Sequence, residues 1–184
     1  LLIAPVDLPR DHGLGGRNQQ FALGRTALLS KEPLAGEAEQ AGRTFARAAW
    51  FAEPGRCLIA GGETTVDLPR DHGLGGRNQQ FALAAAIELH HLAQQALRDP
   101  HARGTATPRV TVLAAGTDGR DGPTDATGAL VDERSWGRIV AAGLDPAGQL
   151  RRCDAHPALD RIGALLRTGP TGTNLADIVV ALRD

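Results

Sequence analysis

Val110-Thr111-Val112-Leu113-Ala114-Ala115-Gly116 runs directly into Thr117-Asp118-Gly119-Arg120-Asp121-Gly122-Pro123-Thr124-Asp125. The first half is a continuous apolar run of strand length, and the second is a loop of Gly and Asp. A buried strand that ends in a Gly-rich loop is the unit from which open α/β sheets build their sites. Working outward, Cys57-Leu58-Ile59-Ala60 before Gly61-Gly62 reads as a second buried strand, and Ile178 to Leu182 as a last one. Thr64-Thr65-Val66 is β-branched and is expected to add a strand, as is Ala129-Leu130-Val131. Helices are expected over Ala35 to Ala52, from Arg77 to about Leu97, from an Asp132 N-cap to Ala142, from Asp145-Pro146, and over Ala158 to Leu166. Strands alternating with helices predict a layered α/β/α domain with a mainly parallel or mixed sheet.

The composition excludes several classes. The chain has 184 residues, a formal net charge of −1 and a mean hydropathy of −0.20. That balance argues against a dedicated nucleic-acid surface, and an aromatic content of 3% with no Tyr argues against base-stacking platforms. No apolar run approaches the roughly 20 residues a membrane-spanning helix needs. Two cysteines, Cys57 and Cys153, form neither a disulfide framework nor a metal motif, so a cytoplasmic setting is expected. The chain contains no Met, and is expected to be a fragment, a processed product or a partly known sequence.

Val6 to Leu23 and Val66 to Leu83 are identical, at an offset of 60 residues, and similarity stops at both edges. Natural repeats drift, and one extra copy builds no solenoid. Residues 1–24 are therefore expected to be an anomalous duplicate, artefactual or disordered, and 25–184 the working domain.

The excess of glycine, 23 residues in all, concentrates in four loops. These are Gly61-Gly62-Glu63-Thr64, Gly73-Leu74-Gly75-Gly76-Arg77-Asn78-Gln79, Thr117 to Asp125, and Thr168-Gly169-Pro170-Thr171-Gly172-Thr173-Asn174. Gly75-Gly76 followed by Arg77 at a helix start offers backbone N–H groups, a positive dipole end and a guanidinium to an anion. The same residues also make a plain Gly-rich turn. The segment is neither a Walker A loop nor a G-x-G-x-x-G fingerprint. Asp118, Asp121 and Asp125 could hold Mg²⁺, a cation that takes oxygen ligands, although Asp and Gly are equally ordinary turn residues. Thr171, Thr173 and Asn174 could orient a polyol or phosphate. Cys153 follows two arginines that could lower its pKa, yet no His/Asp partnership supports a nucleophile.

Taken together, Cys57 to Val66, Gly75 to Gln79, Ala114 to Asp125 and Thr168 to Asn174, in that order, resemble the C-terminal MOFRL domain of class II glycerate kinases. Leu34-Ala35-Gly36-Glu37-Ala38 resembles the segment just before it. The likeness runs from about Leu28 to the end, and the order of motifs favours the second repeat copy as authentic. The sequence departs from the family at Gln80, where Glu is usual, and over Asp67 to His72, which is less Gly-rich and carries Pro69.

The resemblance implies an ATP-dependent, Mg²⁺-requiring kinase for D-glycerate, usually acting at the 2-hydroxyl. It implies a missing N-terminal kinase domain that supplies a catalytic Lys, a site between the two domains, and room for a homo-oligomer. On this reading Arg77 and Asp118 are catalytic, with Asp118, Asp121 and Asp125 as candidate Mg²⁺ ligands. Gly61, Gly62, Glu63, Thr64, Gly75, Gly76, Asn78, Gln79, Thr117, Gly119, Thr171, Gly172, Thr173 and Asn174 are candidates for substrate or phosphate binding. The competing expectations are a non-catalytic metabolite-binding or oligomerisation fragment, and a relative labelled hydroxypyruvate reductase.

Overall fold

The helix that opens at Arg77 contains Ala82, Leu83, Ala84, Ala85 and Ala86, all with no exposed surface. A helix apolar on every side must be covered on every side. The computed structural model, which describes residues 3–6, 26–99 and 107–184, shows how this is achieved. Among those residues the strands are β1 (Ile3–Val6), β2 (Thr26–Ser30), β3 (Arg56–Gly62), β4 (Val110–Gly116), β5 (Gly128–Asp132), β6 (Leu165–Leu166) and β7 (Asp177–Arg183). The helices are α1 (Ala38–Phe51), α2 (Arg77–Arg98), α3 (Ser135–Ala141), α4 (Pro146–Arg151) and α5 (Ala155–Arg161). Helix α2 lies over β4 and β5, with α1 along one side and α3, α4 and α5 along the other.

The strands form one sheet in the order β1-β2-β3-β7-β4-β5-β6. Only β2 and β3 pair in parallel, so the sheet is mixed and the α/β class is as expected. Register puts Leu58, Ala181, Val112 and Val131 in one row, and Ala60, Val179, Ala114 and Ala129 in the next. All eight are buried in the common core with the helices. The alternate positions form the other face, where Leu29, Ile59, Val180, Leu113 and Leu130 share a row. Leu29 and Leu130 are about half exposed there.

Helices α1 and α2 meet through small residues. A Cβ on Gly42 would stand 2.3 Å from the Phe81 carbonyl oxygen. Beside that contact the Phe45 and Phe81 rings lie 5.9 Å apart. Two turns further along α2, buried Glu88 takes Arg47 at 2.7 Å and Arg43 at 3.6 Å. In an exposed helix Gly→Ala stabilises by about 1 kcal/mol. Here the new methyl would push two backbones apart, and overpacking of this kind costs about 1–3 kcal/mol. Gly42→Ala is therefore expected to lower the thermal unfolding midpoint by roughly 5 °C, as read by calorimetry.

Three local expectations are corrected. Thr64 to Val66 is not a strand, because the chain leaves β3 at Gly62 and meets Leu34 to Ala38 only through isolated bridges, Leu34 to Gly62 and Glu37 to Thr65. Asp132 does not cap α3: its Oδ1 accepts from Arg134 N and Ser135 Oγ, and the helix begins after that turn. The expected helix over Ala158 to Leu166 starts earlier and stops at Arg161, since the chain turns at Gly163 (φ +66°) and Leu165–Leu166 pair with β5. Asp145 does cap α4, accepting from Ala147 N at 3.1 Å. Of residues 1–24, expected to be an artefact or disordered, Ile3–Val6 are described, as β1, and the rest lie outside the described residues. Among the described residues, no helix is long and apolar enough to cross a membrane.

Candidate active site

At one end of the sheet, Gly62 of β3, Asp177 of β7 and Gly116 of β4 share a single row. Helix α2 starts above that row. Its first residue, Arg77, reaches down to Asp177, with Nε to Oδ2 at 2.6 Å and Nη2 to Oδ1 at 3.1 Å. The third guanidinium nitrogen, Nη1, meets Glu63 Oε1 at 2.6 Å. Asp177 is almost wholly buried, whereas Arg77 is 38% exposed. The Asp177 hydrogen bonds hold the Arg77 pKa above its ordinary value, with burial opposing. Arg77 is thus a fixed cation, clamped by one buried and one exposed carboxylate. Asp177 escapes a reading of the sequence because it precedes the apolar run Ile178 to Leu182 by a single residue. A carboxylate at a strand entrance is the one signal it offers.

The expected anion site at the start of α2 is occupied from within. Asp121 Oδ1 accepts from Asn78 N at 3.0 Å and from Asn78 Nδ2 at 3.2 Å. Its Oδ2 accepts from Gln79 N at 2.8 Å and from Gln79 Nε2 at 3.0 Å. Asp121 is therefore the N-terminal cap of α2, delivered by the loop after β4 from 43 residues away. Burial raises its pKa, and the four hydrogen bonds oppose that rise. Asn78 and Gln79 are buried in this service, with Gln79 also donating to Thr124 Oγ1 at 2.9 Å. Asn78 and Gln79, candidates for phosphate, and Asp121, a candidate Mg²⁺ ligand, thus engage one another.

Asp125 is committed elsewhere. It accepts from Arg167 Nε at 2.7 Å and pairs with His156 Nε2 at 3.0 Å. The Arg167 hydrogen bond, with His156 adding to it, lowers its pKa to about 2. Among the described residues, no three His, Cys, Asp or Glu are placed to hold a metal together. Asp118, Asp121 and Asp125, the candidate Mg²⁺ ligands, therefore do not meet at one point. Asp118, partly exposed on the same loop, has no side-chain partner among the described residues, and its Oδ1 accepts from Arg120 N at 2.9 Å.

A cavity of about 700 Å³ lies over this end of the sheet. That is within the usual range for small-molecule sites, about 300–1,000 Å³. Of the expected residues, Glu63, Thr64, Gly75, Gly76, Arg77, Asp118 and Asp121 line it. Gly61, Gly62 and Thr117 lie beneath it in the sheet row or its loop, and Gly119 lines a second cavity of about 390 Å³ with Asp125. Thr171, Gly172, Thr173 and Asn174 do not line the larger cavity. Their loop buttresses the β4 loop instead: Thr171 Oγ1 donates to Thr117 O, and Thr117 Oγ1 accepts from Leu175 N at 2.9 Å.

Sequence reasoning did not place Arg120, His72 or Cys153 on the cavity wall, where all three stand. Gln80, flagged as unusual, is buried and donates to Leu150 O at 2.7 Å, tying α2 to α4. An ionised carboxylate at that position could not make this bond. The Cys153 thiol is pushed up by burial first and by nearby carboxylates second, the reverse of activation by its two arginines.

Comparison with known proteins gives this geometry a family. Residues 56–177 match the MOFRL family, a span that includes the second repeat copy. The D-glycerate 2-kinase of Thermotoga maritima is 44% identical over 125 residues, covering 68% of this chain and 26% of that protein. The glycerate 2-kinase of Pyrococcus horikoshii is 36% identical over 167 residues, covering 87% and 34%. A protein of Agrobacterium vitis, provisionally named hydroxypyruvate reductase, is 39% identical over 165 residues, covering 85% and 39%. The crystal structure of the Thermotoga maritima glycerate kinase superposes with a TM-score of 0.74 at 38% identity, covering 90% of this chain and 38% of that one. A crystal structure from Pyrococcus horikoshii gives 0.74 at 34% identity, covering 90% and 36%. The chain thus spans between a quarter and two-fifths of these relatives' lengths. With the family match over more than half its length, and with the four motifs gathered at one end of one sheet, the chain belongs to the MOFRL family.

Proposed function

We propose that this chain is the C-terminal part of an ATP-dependent kinase that phosphorylates D-glycerate, with 2-phosphoglycerate as product. Its N-terminal kinase domain would complete the site, and its setting would be the cytoplasm. One observation carries the reading. Glu63, Arg77 and Asp118 converge on one cavity at the end of β3 and β4, in a chain whose relatives at 36–44% identity are named glycerate 2-kinases.

Phosphoryl transfer asks little covalent chemistry of a protein; it asks for positioning and neutralisation of charge. Arg77 supplies a cation whose direction is fixed by Asp177 and Glu63. Pre-set charge of this kind needs no reorganisation when the transferring group develops negative charge. Mg²⁺ typically takes one or two carboxylates together with substrate phosphates and water, so a single Asp118 on the cavity wall suits it better than a three-carboxylate cage. Asp118, with Glu63 beside the cavity, would hold the ion of a magnesium–nucleotide complex, and the ion would shield the phosphate charge. Thr64, next to Glu63 in the chain, is buried at the cavity wall.

The name of the Agrobacterium vitis relative supports a second reading, a hydroxypyruvate reductase. Against it, Gly73, Gly75 and Gly76 miss the dinucleotide spacing, and the start of α2 holds Asp121 where a pyrophosphate would bind. The test is ADP release from magnesium–ATP by the polypeptide that carries this chain, with and without D-glycerate. Release that depends on D-glycerate is expected. NADH oxidation with hydroxypyruvate and no ADP release would establish the reductase, and ATP binding with neither reaction would leave a binding fragment.

A further inference from the structure

The loop after β4 separates the two cavities, and Arg120 stands on the ridge, lining both. Its backbone is held from several directions. Arg120 N donates to Asp118 Oδ1, and its carbonyl lies so close to Gly116 that a Cβ there would be 2.6 Å away. Gly119, at φ +87°, packs so tightly on the Gly169 carbonyl that only glycine fits. The side chain is the opposite. It is exposed, and among the described residues no carboxylate, carbonyl or hydroxyl engages its guanidinium.

Two arginines line the larger cavity, and they differ in availability. All three nitrogens of Arg77 face Asp177 or Glu63, so an incoming anion there competes with carboxylates already in place. Arg120 offers its whole five-donor fork with nothing to displace. A fork on a rigid base is the arrangement that grips phosphate in a bidentate way. Asp118 sits two residues away, so a cation it held and a phosphate held by Arg120 would be neighbours.

We propose that Arg120 is the phosphate-binding arginine of this site, taking phosphoryl oxygens at the ridge between the two cavities. The proposal rests on the phosphotransferase reading for the identity of its ligand, a nucleotide or a phosphorylated product. Arg77 then faces the charge that develops on the transferring group, and Arg120 recognises the phosphate that enters the site.

The test is equilibrium binding of inorganic phosphate to the 184-residue chain by titration calorimetry, with D-glycerate titrated in parallel. Arg120→Gln is expected to weaken phosphate binding roughly tenfold or more, as loss of a charge-assisted contact does. Arg120→Lys should recover part of it, because a point charge cannot form the fork. Arg134→Gln removes an equal charge at the opposite end of β5 and should change nothing. The melting point of Arg120→Gln should equal that of the wild type. Unaltered phosphate affinity in Arg120→Gln, a wild-type chain that binds no phosphate, or a loss confined to D-glycerate would each overturn the proposal. Arg120-dependent phosphate binding without glycerate-dependent ADP release would leave Arg120 in place and remove the kinase reading. Glycerate-dependent turnover untouched by Arg120→Gln would do the reverse.

Discussion

Asp121→Ala is expected to lower the thermal midpoint by roughly 10 °C. Three losses combine. The cap of a 22-residue helix disappears, typically worth about 1 kcal/mol. Asn78 Nδ2 and Gln79 Nε2 lose their carboxylate partner inside the protein, at about 1–3 kcal/mol for each donor left unsatisfied. Gln79 Nε2 keeps a bond to Thr124, so the total should fall near 3–5 kcal/mol rather than at the sum. The pH dependence follows from burial. Asp121 holds its proton more tightly folded than unfolded, so its contribution is complete below the ordinary carboxylate range and declines as pH rises through the raised value. The gap between wild type and Asp121→Ala should therefore narrow from acid toward neutral pH in urea unfolding. A midpoint within two degrees or so of wild type would remove Asp121 from the cap.

The second large effect belongs to Arg77. Arg77→Ala leaves Asp177 buried with no counter-charge, and breaking such a pair from one side costs about 3 kcal/mol. A midpoint roughly 6–12 °C lower is expected, so the fold survives weakened. Loss of turnover in this variant alone would not separate chemistry from stability. The double variant Arg77→Ala with Asp177→Asn does separate them, since it removes the stranded charge. Stability should largely return, while turnover should stay about 10²–10³-fold down if Arg77 stabilises developing charge. Turnover that recovers together with stability would reduce Arg77 to a structural brace.

What the sequence made legible, and what it hid, divides along one line. Strands and helices set by apolar runs were readable: Val110 to Gly116, Cys57 to Gly62, and the long helix from Arg77. The Gly-rich loops were readable as a group because glycine excess marks close backbone approach. Partnership was not readable. Asp118, Asp121 and Asp125 look equivalent in sequence, spaced along one loop. In space one faces the cavity, one caps a helix that begins 44 residues earlier, and one binds an arginine on the far side of β5. Side-chain identity gives each the same chemistry, and only the path of the chain assigns the partner. Asp177 was hidden for the same reason, being 100 residues from the arginine it fixes.

The position of β7 has a consequence for how the domain is made. Residues 177–183 fill the middle of the sheet, between β3 and β4 and antiparallel to both. On the ribosome β3 and β4 emerge first, each with an edge that no neighbour yet covers. About 60 residues separate the end of β4 from the start of β7. At about 5–20 residues per second, the nascent chain waits roughly 3–12 seconds for its keystone, plus the time the last strand spends in the exit tunnel. Through that interval the unpaired strands are open to wrong pairing.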